Sequence, residues 1–569
     1  MRAAHFLPIV LLAISADAAP KKPANGDKPW PMPIVLDASA KPIKDQRGNS
    51  CGTGLGFAGS LLESDHGDKL SDWLFVKDRA ATAKIFREAG VTFVRVMGAN
   101  SRWQVGMTWA KASEDDRAAM RKAYKSTPLV DPTACFSFWK ENGVKALLCL
   151  TSKNVWADPV RAVPAESLED VAKTTGAFVK WIVDNGYTDT VAGFEMDNEP
   201  FWGKEPEAYA KRWQAIIPEI KRHWPEARIG LPIAEYKSND PDIAAVRARM
   251  TGAGQAMKSV ERVNEWSGRA IVALGDGLSD ISHVIYHFYG ANPAWGCTPA
   301  GFDRIRRFGK VFPEVAGKRV WITEFRERSD EDNRCQQTFF SSLWKGHYLL
   351  EVLCQPEIDG AMLHHLGAQG GALNTAVGGR WWIGLQPDGT EFPDPDYAGR
   401  PRIEVGPCGP VFAIYNDALK THPVVLAHGT ANDGAEASYW HGSIYYDSMG
   451  AYVRALAKRT PKEKLPYVKG KTVEWVATLS PEKDSLALLM VNTKDTEVEM
   501  PVEIRGRQFA GKPQVRSVTC PAEHIHSHLI PGEKPLWTVS ERTDAKASGN
   551  KMSFRVGPNT VQSVTVPLR

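Results

Sequence analysis

From residue 51 to about residue 425 the chain repeats a short apolar run eight times, and seven of these runs are followed by a longer stretch with apolar residues at helical spacing. The apolar runs cover 52–61, 91–97, 144–150, a segment closing at Glu199, 228–233, 281–289, 319–325 and 358–366. Helical spacing follows over 73–88, 131–142, 167–185, 205–224, 257–274, 331–352 and 412–420. Strands that alternate with helices form a parallel sheet, because each parallel neighbour needs a crossover connection. Eight such strands predict an α/β fold of the (β/α)8 TIM-barrel type, with the catalytic mouth at the C-terminal ends of the strands.

An open, doubly wound sheet is the rival, and Gly54-Leu55-Gly56-Phe57-Ala58-Gly59 matches the G-x-G-x-x-G spacing of nucleotide-binding sheets. The context does not fit. That motif works only between a strand and a helix, whereas Lys44–Ser50 is polar before it and Glu63–Asp68 opens no helix after it. A glycine-rich, tightly packed first strand is the better account.

Past residue 428 the texture changes to short apolar or alternating runs, at 472–477, 485–492, 497–504, 515–520 and 561–568, with turn residues between them. This pattern predicts an all-β sandwich. At the other end, Arg2, the apolar stretch 6–14 and Ala16-Asp17-Ala18 read as a signal peptide. The expected organisation is a signal peptide at 1–18, a Pro- and Lys-rich lead-in at 19–50, the barrel at 51–428 and a β-sandwich domain at 429–569. A secreted or periplasmic location is expected, with no membrane-spanning segment. The net charge of +4, from 70 basic and 66 acidic residues, gives no electrostatic case for nucleic acid. The eight cysteines are scattered without a C-x-x-C pair, which argues against structural zinc and leaves disulfide pairing open.

Glu199 and Glu324 each close an apolar run, so a barrel places both at its mouth. Two carboxylates flanking one bond are what glycoside hydrolysis needs: one protonates the leaving oxygen, and the other attacks or stabilises the oxocarbenium-like centre. Strand alternation would put Glu195, Asp197 and Glu199 on one face. His283 and His287 lie four apart on a strand, about 13 Å, too far to share one metal ion at bonds of about 2 Å. No catalytic metal or other cofactor is expected.

Several elements together resemble the clan A glycoside hydrolases. Asn198-Glu199-Pro200 is similar to their acid/base motif, and Ile322-Thr323-Glu324-Phe325 to their nucleophile strand. Arg95 resembles the arginine that supports the nucleophile, and His287-Phe288-Tyr289 the H-x-Y element. A sandwich after the barrel, ending in Val556–Val566, is similar to the arabinofuranosidase, glucuronidase and xylanase-type members. Two positions depart from the pattern: Asp197 stands where a glycine is usual, and strand eight offers His364-His365 without an obvious tryptophan.

The resemblance implies a retaining enzyme, with Glu199 as acid/base, Glu324 as nucleophile and carboxyl groups about 5–5.5 Å apart. Arg95 and Tyr289 would keep Glu324 ionised, Asn198 would meet the sugar's 2-hydroxyl, and His287 would line the site. Tryptophans follow strands two, three, four, six and eight, and Trp202 and Trp295 are the best candidates to stack on sugar rings; about half of these tryptophans would instead anchor loops. The expected partner is a poly- or oligosaccharide. A carbohydrate-binding protein on a barrel scaffold and a transglycosylase remain as rivals, and the sugar, endo or exo action and oligomeric state stay open.

Overall fold

The computed structural model describes residues 33–60, 73–125, 129–234, 241–252, 259–289, 299–326, 338–367, 371–377, 379–385, 391–396, 398–431, 437–439, 468–470, 473–494, 496–525 and 532–569. Eight parallel strands close into a barrel: β1 (Leu55–Ala58), β2 (Phe93–Met97), β3 (Lys145–Leu150), β4 (Val191–Met196), β5 (Ile229–Pro232), β6 (His283–Tyr289), β7 (Arg319–Arg326) and β8 (Ile358–His364), with β8 pairing back to β1. The expected barrel is present strand for strand, and Gly54–Gly59 is a packed first strand. A Cβ on Gly56 would lie 2.4 Å from the carbonyl oxygen of Phe93, so the close approach of β1 and β2 requires glycine there.

The barrel interior is a packed plug of Cys51, Ala58, Phe93, Leu147, Ala192, Ile285, Trp321 and Met362. Trp321 is its largest member, stacked on His283 at 3.7 Å between ring centres. Gly193 makes room for it, since a Cβ there would stand 2.5 Å from the indole. This apolar layer seals the barrel below the polar side chains of the mouth.

Two sheets form the second domain. The larger has the strand order 44–45, 424–430, 473–479, 485–492, 560–567, 514–519, 538–542; the smaller has the order 34–37, 498–505, 551–556, 546–548. The central strands of the large sheet are buried on both faces. Along Ser485–Asn492, Leu486, Leu488 and Met490 enter the core between the sheets, while Ala487, Leu489 and Val491 join the barrel's core. Helices Phe339–Leu353 and Gly409–Thr421 of the barrel lie on that second face. Double burial explains why this run is continuously apolar, whereas Val498–Arg505, with one face in solvent, alternates.

The domain limits shift from those expected. The lead-in expected at 19–50 supplies two sandwich strands: Ile34–Asp37 pairs in parallel with 502–505, and Lys44–Asp45 pairs with 424–425. Ile34 and Leu36 alternate into the sandwich core, a four-residue pattern obscured by the surrounding prolines and lysines. The barrel also ends earlier than 428, because Val424–Thr430 already belongs to the large sheet. Between β8 and the last barrel helix an antiparallel sheet is inserted, ordered 391–393, 380–385, 373–377, 402–405. Residues 1–18, including the expected signal peptide, lie outside the described residues. Cys51, Cys135, Cys149, Cys354, Cys408 and Cys520 are buried free thiols, and Cys297 and Cys335 lie outside. Among the described residues, no helix is long and apolar enough to cross a membrane.

Candidate active site

Arg95 stands on β2 inside the mouth and is 1% exposed. Its guanidinium grips Glu195 of β4 with two hydrogen bonds, Nε to Oε2 at 2.5 Å and Nη2 to Oε1 at 2.8 Å. Nη1 donates to Glu324 Oε1 at 2.6 Å, and Nη2 also donates to Asn198 Oδ1 at 2.8 Å. One buried cation therefore organises two carboxylates and an amide from three segments of chain. Burial opposes the charge on Glu195, but the Arg95 charge, the hydrogen bonds from His287 and Arg95 and the His287 charge together outweigh it and hold this carboxyl below its usual range.

Glu324 reaches this position through a break in strand regularity. Tyr286 pairs with Ile322, yet His287 pairs with Glu324, so Thr323 is an extra residue in β7. Trp321 points into the barrel plug, while Ile322 and Phe325 face the helices. Without the extra residue, Glu324 would follow Ile322 outward. With it, Thr323 and Glu324 both face the mouth.

His287 joins the two acids. Its Nδ1 lies 2.9 Å from Glu199 Oε1 and 3.5 Å from Glu324 Oε2. Its Nε2 is 3.0 Å from Thr323 Oγ1, which donates onward to Glu195 Oε1 at 3.4 Å. Burial works against a charged imidazole here, but the Glu324 charge and the carboxylates of Glu195 and Glu199 prevail and raise it to about 9. An imidazolium donates from both nitrogens, which matches both contacts.

Because the folded value stands above the ordinary 6.5, the stabilisation this gives is complete below about pH 6.5 and is lost as pH rises through about 9. The wild type is expected to lose roughly 3 kcal/mol of unfolding free energy between pH 6.5 and 9.5 that a His287→Gln variant does not lose, as read from urea midpoints at each pH. Equal pH dependence in the two proteins would refute the raised value.

Asp197 and Glu199 depart from the expected single face. The strand ends at Met196, and both residues take left-handed backbone conformations, with φ of +67° and +41°. Asp197 turns away from the mouth towards Ser152, Lys204 and Trp213. Glu199 heads the short turn Pro200–Trp202 at the mouth, its side chain 29% exposed against 7% for Glu324. Oxygens of the two glutamates lie within 4.8 Å of each other, with His287 in the same cluster. A dication at these three side chains would have to displace the imidazolium proton and sit beside the Arg95 guanidinium.

Trp202, three residues past Glu199, is 66% exposed. Trp103, on helix Ala99–Lys111, instead packs on Phe178 and Trp181, and Trp156, in the short strand Trp156–Asp158, is pinned by Gln104 and Ser101, so both have structural roles. Trp295 lies outside the described residues. The backbone of Tyr289 closes β6 beside Arg326, and its side chain lies outside the described residues. His283 sits at the other end of β6 from His287, bonded to Asp359, so the two do not share a site. His365 is half-buried against Gly59, and the loss of solvent around its imidazole drives it down to about 3, so it is neutral at working pH.

Strand alternation placed Glu195 on a shared face with Glu199 but without its partner Arg95, and nothing in it pointed to Thr323. An inward glutamate on an otherwise apolar strand, with an inward arginine on β2, was the available signal for the first. Nothing local marks the second.

No family model matches this chain, and no curated protein matches it. Solved structures match in fold. The α-L-arabinofuranosidase from Thermotoga maritima, in complex with arabinose, is 13% identical with a TM-score of 0.54, covering 94% of this chain and 99% of its own. A family 51 α-L-arabinofuranosidase from Bifidobacterium longum is 12% identical with a TM-score of 0.53, covering 94% and 100%. A GH30 endoxylanase from Clostridium papyrosolvens is 10% identical with a TM-score of 0.50, again covering 94% and 100%. At these identities the likeness is one of architecture, the (β/α)8 barrel followed by a β-sandwich.

Proposed function

We propose that this protein is an exported retaining glycoside hydrolase that cleaves O-glycosidic bonds in a poly- or oligosaccharide. The observation that carries the reading is the unequal pair at the mouth. Glu199 and Glu324 approach within 4.8 Å through their oxygens, one partly open to solvent and the other nearly buried on Arg95. That spacing favours the retaining geometry of about 5–5.5 Å over the inverting one of about 6.5–9.5 Å, in which a water must fit between the acids.

In the first step Glu324 attacks the anomeric carbon, while Glu199 passes its proton to the departing glycosidic oxygen. In the second step Glu199 takes a proton from water, and that water releases the sugar from Glu324. Arg95 keeps Glu324 ionised for attack, because a neighbouring cation favours the carboxylate. Its bond to Asn198 Oδ1 orients that amide so that its NH₂ is the donor offered to substrate. Trp202 supplies an apolar face for a sugar ring beside the scissile bond. Export rests on the first 18 residues.

The activities of the structural neighbours put α-L-arabinofuranosides and xylan first among substrates. The test is a panel of 4-nitrophenyl glycosides and hemicelluloses, with the configuration of the first-formed product read by NMR. Hydrolysis with net retention, unaffected by EDTA, is the expected result. Net inversion would overturn the mechanism. Glycan binding without any turnover would instead establish a carbohydrate-binding protein.

A further inference from the structure

Asp197 occupies a backbone position suited to glycine. Its φ of +67° is one that residues with a Cβ adopt only at a cost, and Glu199 pays a similar cost two residues later. What holds Asp197 there is visible around its carboxylate. Oδ1 accepts from the Ser152 backbone N–H at 3.0 Å and pairs with Lys204 Nζ at 2.6 Å, and Oδ2 accepts from Trp213 Nε1 at 3.2 Å. The pair is largely buried, with side-chain exposures of 4% for Asp197 and 18% for Lys204. Lys204 also donates to Ser152 Oγ at 3.3 Å, and its carbonyl accepts from Trp266 Nε1 at 2.7 Å.

The ion pair therefore closes the segment 197–204 on itself and ties it to the end of β3, helix Pro206–His223 and helix Ser259–Leu274. Between its ends lie Asn198, Glu199 and Trp202. The Glu199 side chain is held separately, from β6, by His287. We propose that the Asp197–Lys204 ion pair is a clamp that positions Glu199 for proton transfer, with both members acting as positioning residues. Asp197 keeps the left-handed turn only because its carboxylate is captured. With the pair broken, the turn relaxes and the Glu199 carboxyl leaves the plane of the leaving oxygen. This rests on the reading of Glu199 as acid/base.

A misplaced general acid and a damaged fold have different kinetic signatures. A 2,4-dinitrophenyl leaving group departs without protonation, whereas a phenyl group requires it. Both glycosides of the sugar cleaved in the panel above are compared by kcat/KM, which reports the first chemical step. Lys204→Met is expected to lower the phenyl value about 10- to 100-fold and the dinitrophenyl value less than about threefold, with Lys204→Arg restoring most of the loss. Asp197→Ala, which lacks the carboxylate and disfavours the left-handed turn, should show the same split and carries the test if Lys204→Met does not fold. Equal losses on both substrates, or no loss on either, would overturn the clamp. Glu199→Ala is the control: if it fails to separate the two substrates, the assignment of Glu199 falls, whereas if it separates them and the clamp variants do not, only the clamp falls.

Discussion

Glu324→Ala is expected to lower kcat by about 10⁴-fold or more, the scale of loss if Glu324 is the covalent nucleophile. Sodium azide restores part of the activity, and the glycosyl azide formed has the configuration opposite to the substrate's, because azide attacks the anomeric carbon directly from the face Glu324 has vacated. The same ion added to Glu199→Ala gives the retained azide, since there it intercepts the glycosyl-enzyme. Product configuration thus separates the two roles without reference to rates. Inverted azide from Glu199→Ala would exchange the assignments, and undiminished activity in Glu324→Ala would reject the site. The structure makes the expected direction clear. Glu324 is the acid bonded to Arg95 and is nearly enclosed, while Glu199 is the one a leaving group can approach from solvent.

Arg95→Met has the second large effect, on stability as well as turnover. Methionine fills much of the arginine's volume but leaves Glu195 and Glu324 as buried carboxylates without their shared cation. Breaking a buried pair from one side costs about 3–5 kcal/mol, measurable as a drop in the urea midpoint at pH 7. Adding Glu195→Gln to Arg95→Met should recover a substantial part of that loss, because the uncompensated charge is gone. It should not recover turnover, because Glu324 still lacks the guanidinium that keeps it ionised. The acid limb of the pH–rate profile is expected to move upward in both variants. An additive double variant, no more stable than Arg95→Met alone, would show that Glu195 and Arg95 are not energetically coupled.

Much of this site's layout is legible in the sequence. Glu199, Glu324, Arg95 and His287 sit on β2, β4, β6, β7 and their immediate ends, and the strand–helix alternation assigns those strands one by one. Arg95 was expected beside Glu324 and lies 2.6 Å from it. His287 was expected to line the site, and the structure adds its bond to Glu199 and its shared hydrogen-bond chain through Thr323. Face assignment failed wherever the backbone left the regular strand. Alternation from Glu195 to Glu199 assumes a strand that in fact ends at Met196, and the left-handed Asp197 then swings its carboxylate to the outer side. The lead-in at 34–45 failed for a related reason: a strand of four residues acquires meaning only through the distant partner it pairs with at 502–505.

The sequence by itself determined the eightfold repeat, the sandwich that follows it, and which acids stand at strand ends, because period-two and helical patterns are local records of which side meets a core. Tertiary structure alone decided that Thr323 is surplus to the pairing of β6 with β7 and so turns Glu324 inward. It alone decided that Asp197 takes a left-handed conformation before Asn198-Glu199. Both follow from long-range partners, the register against His287 in one case and the capture of a carboxylate by Lys204, Ser152 and Trp213 in the other. A bulge or a left-handed residue is selected by energies that exist only once those partners are in place.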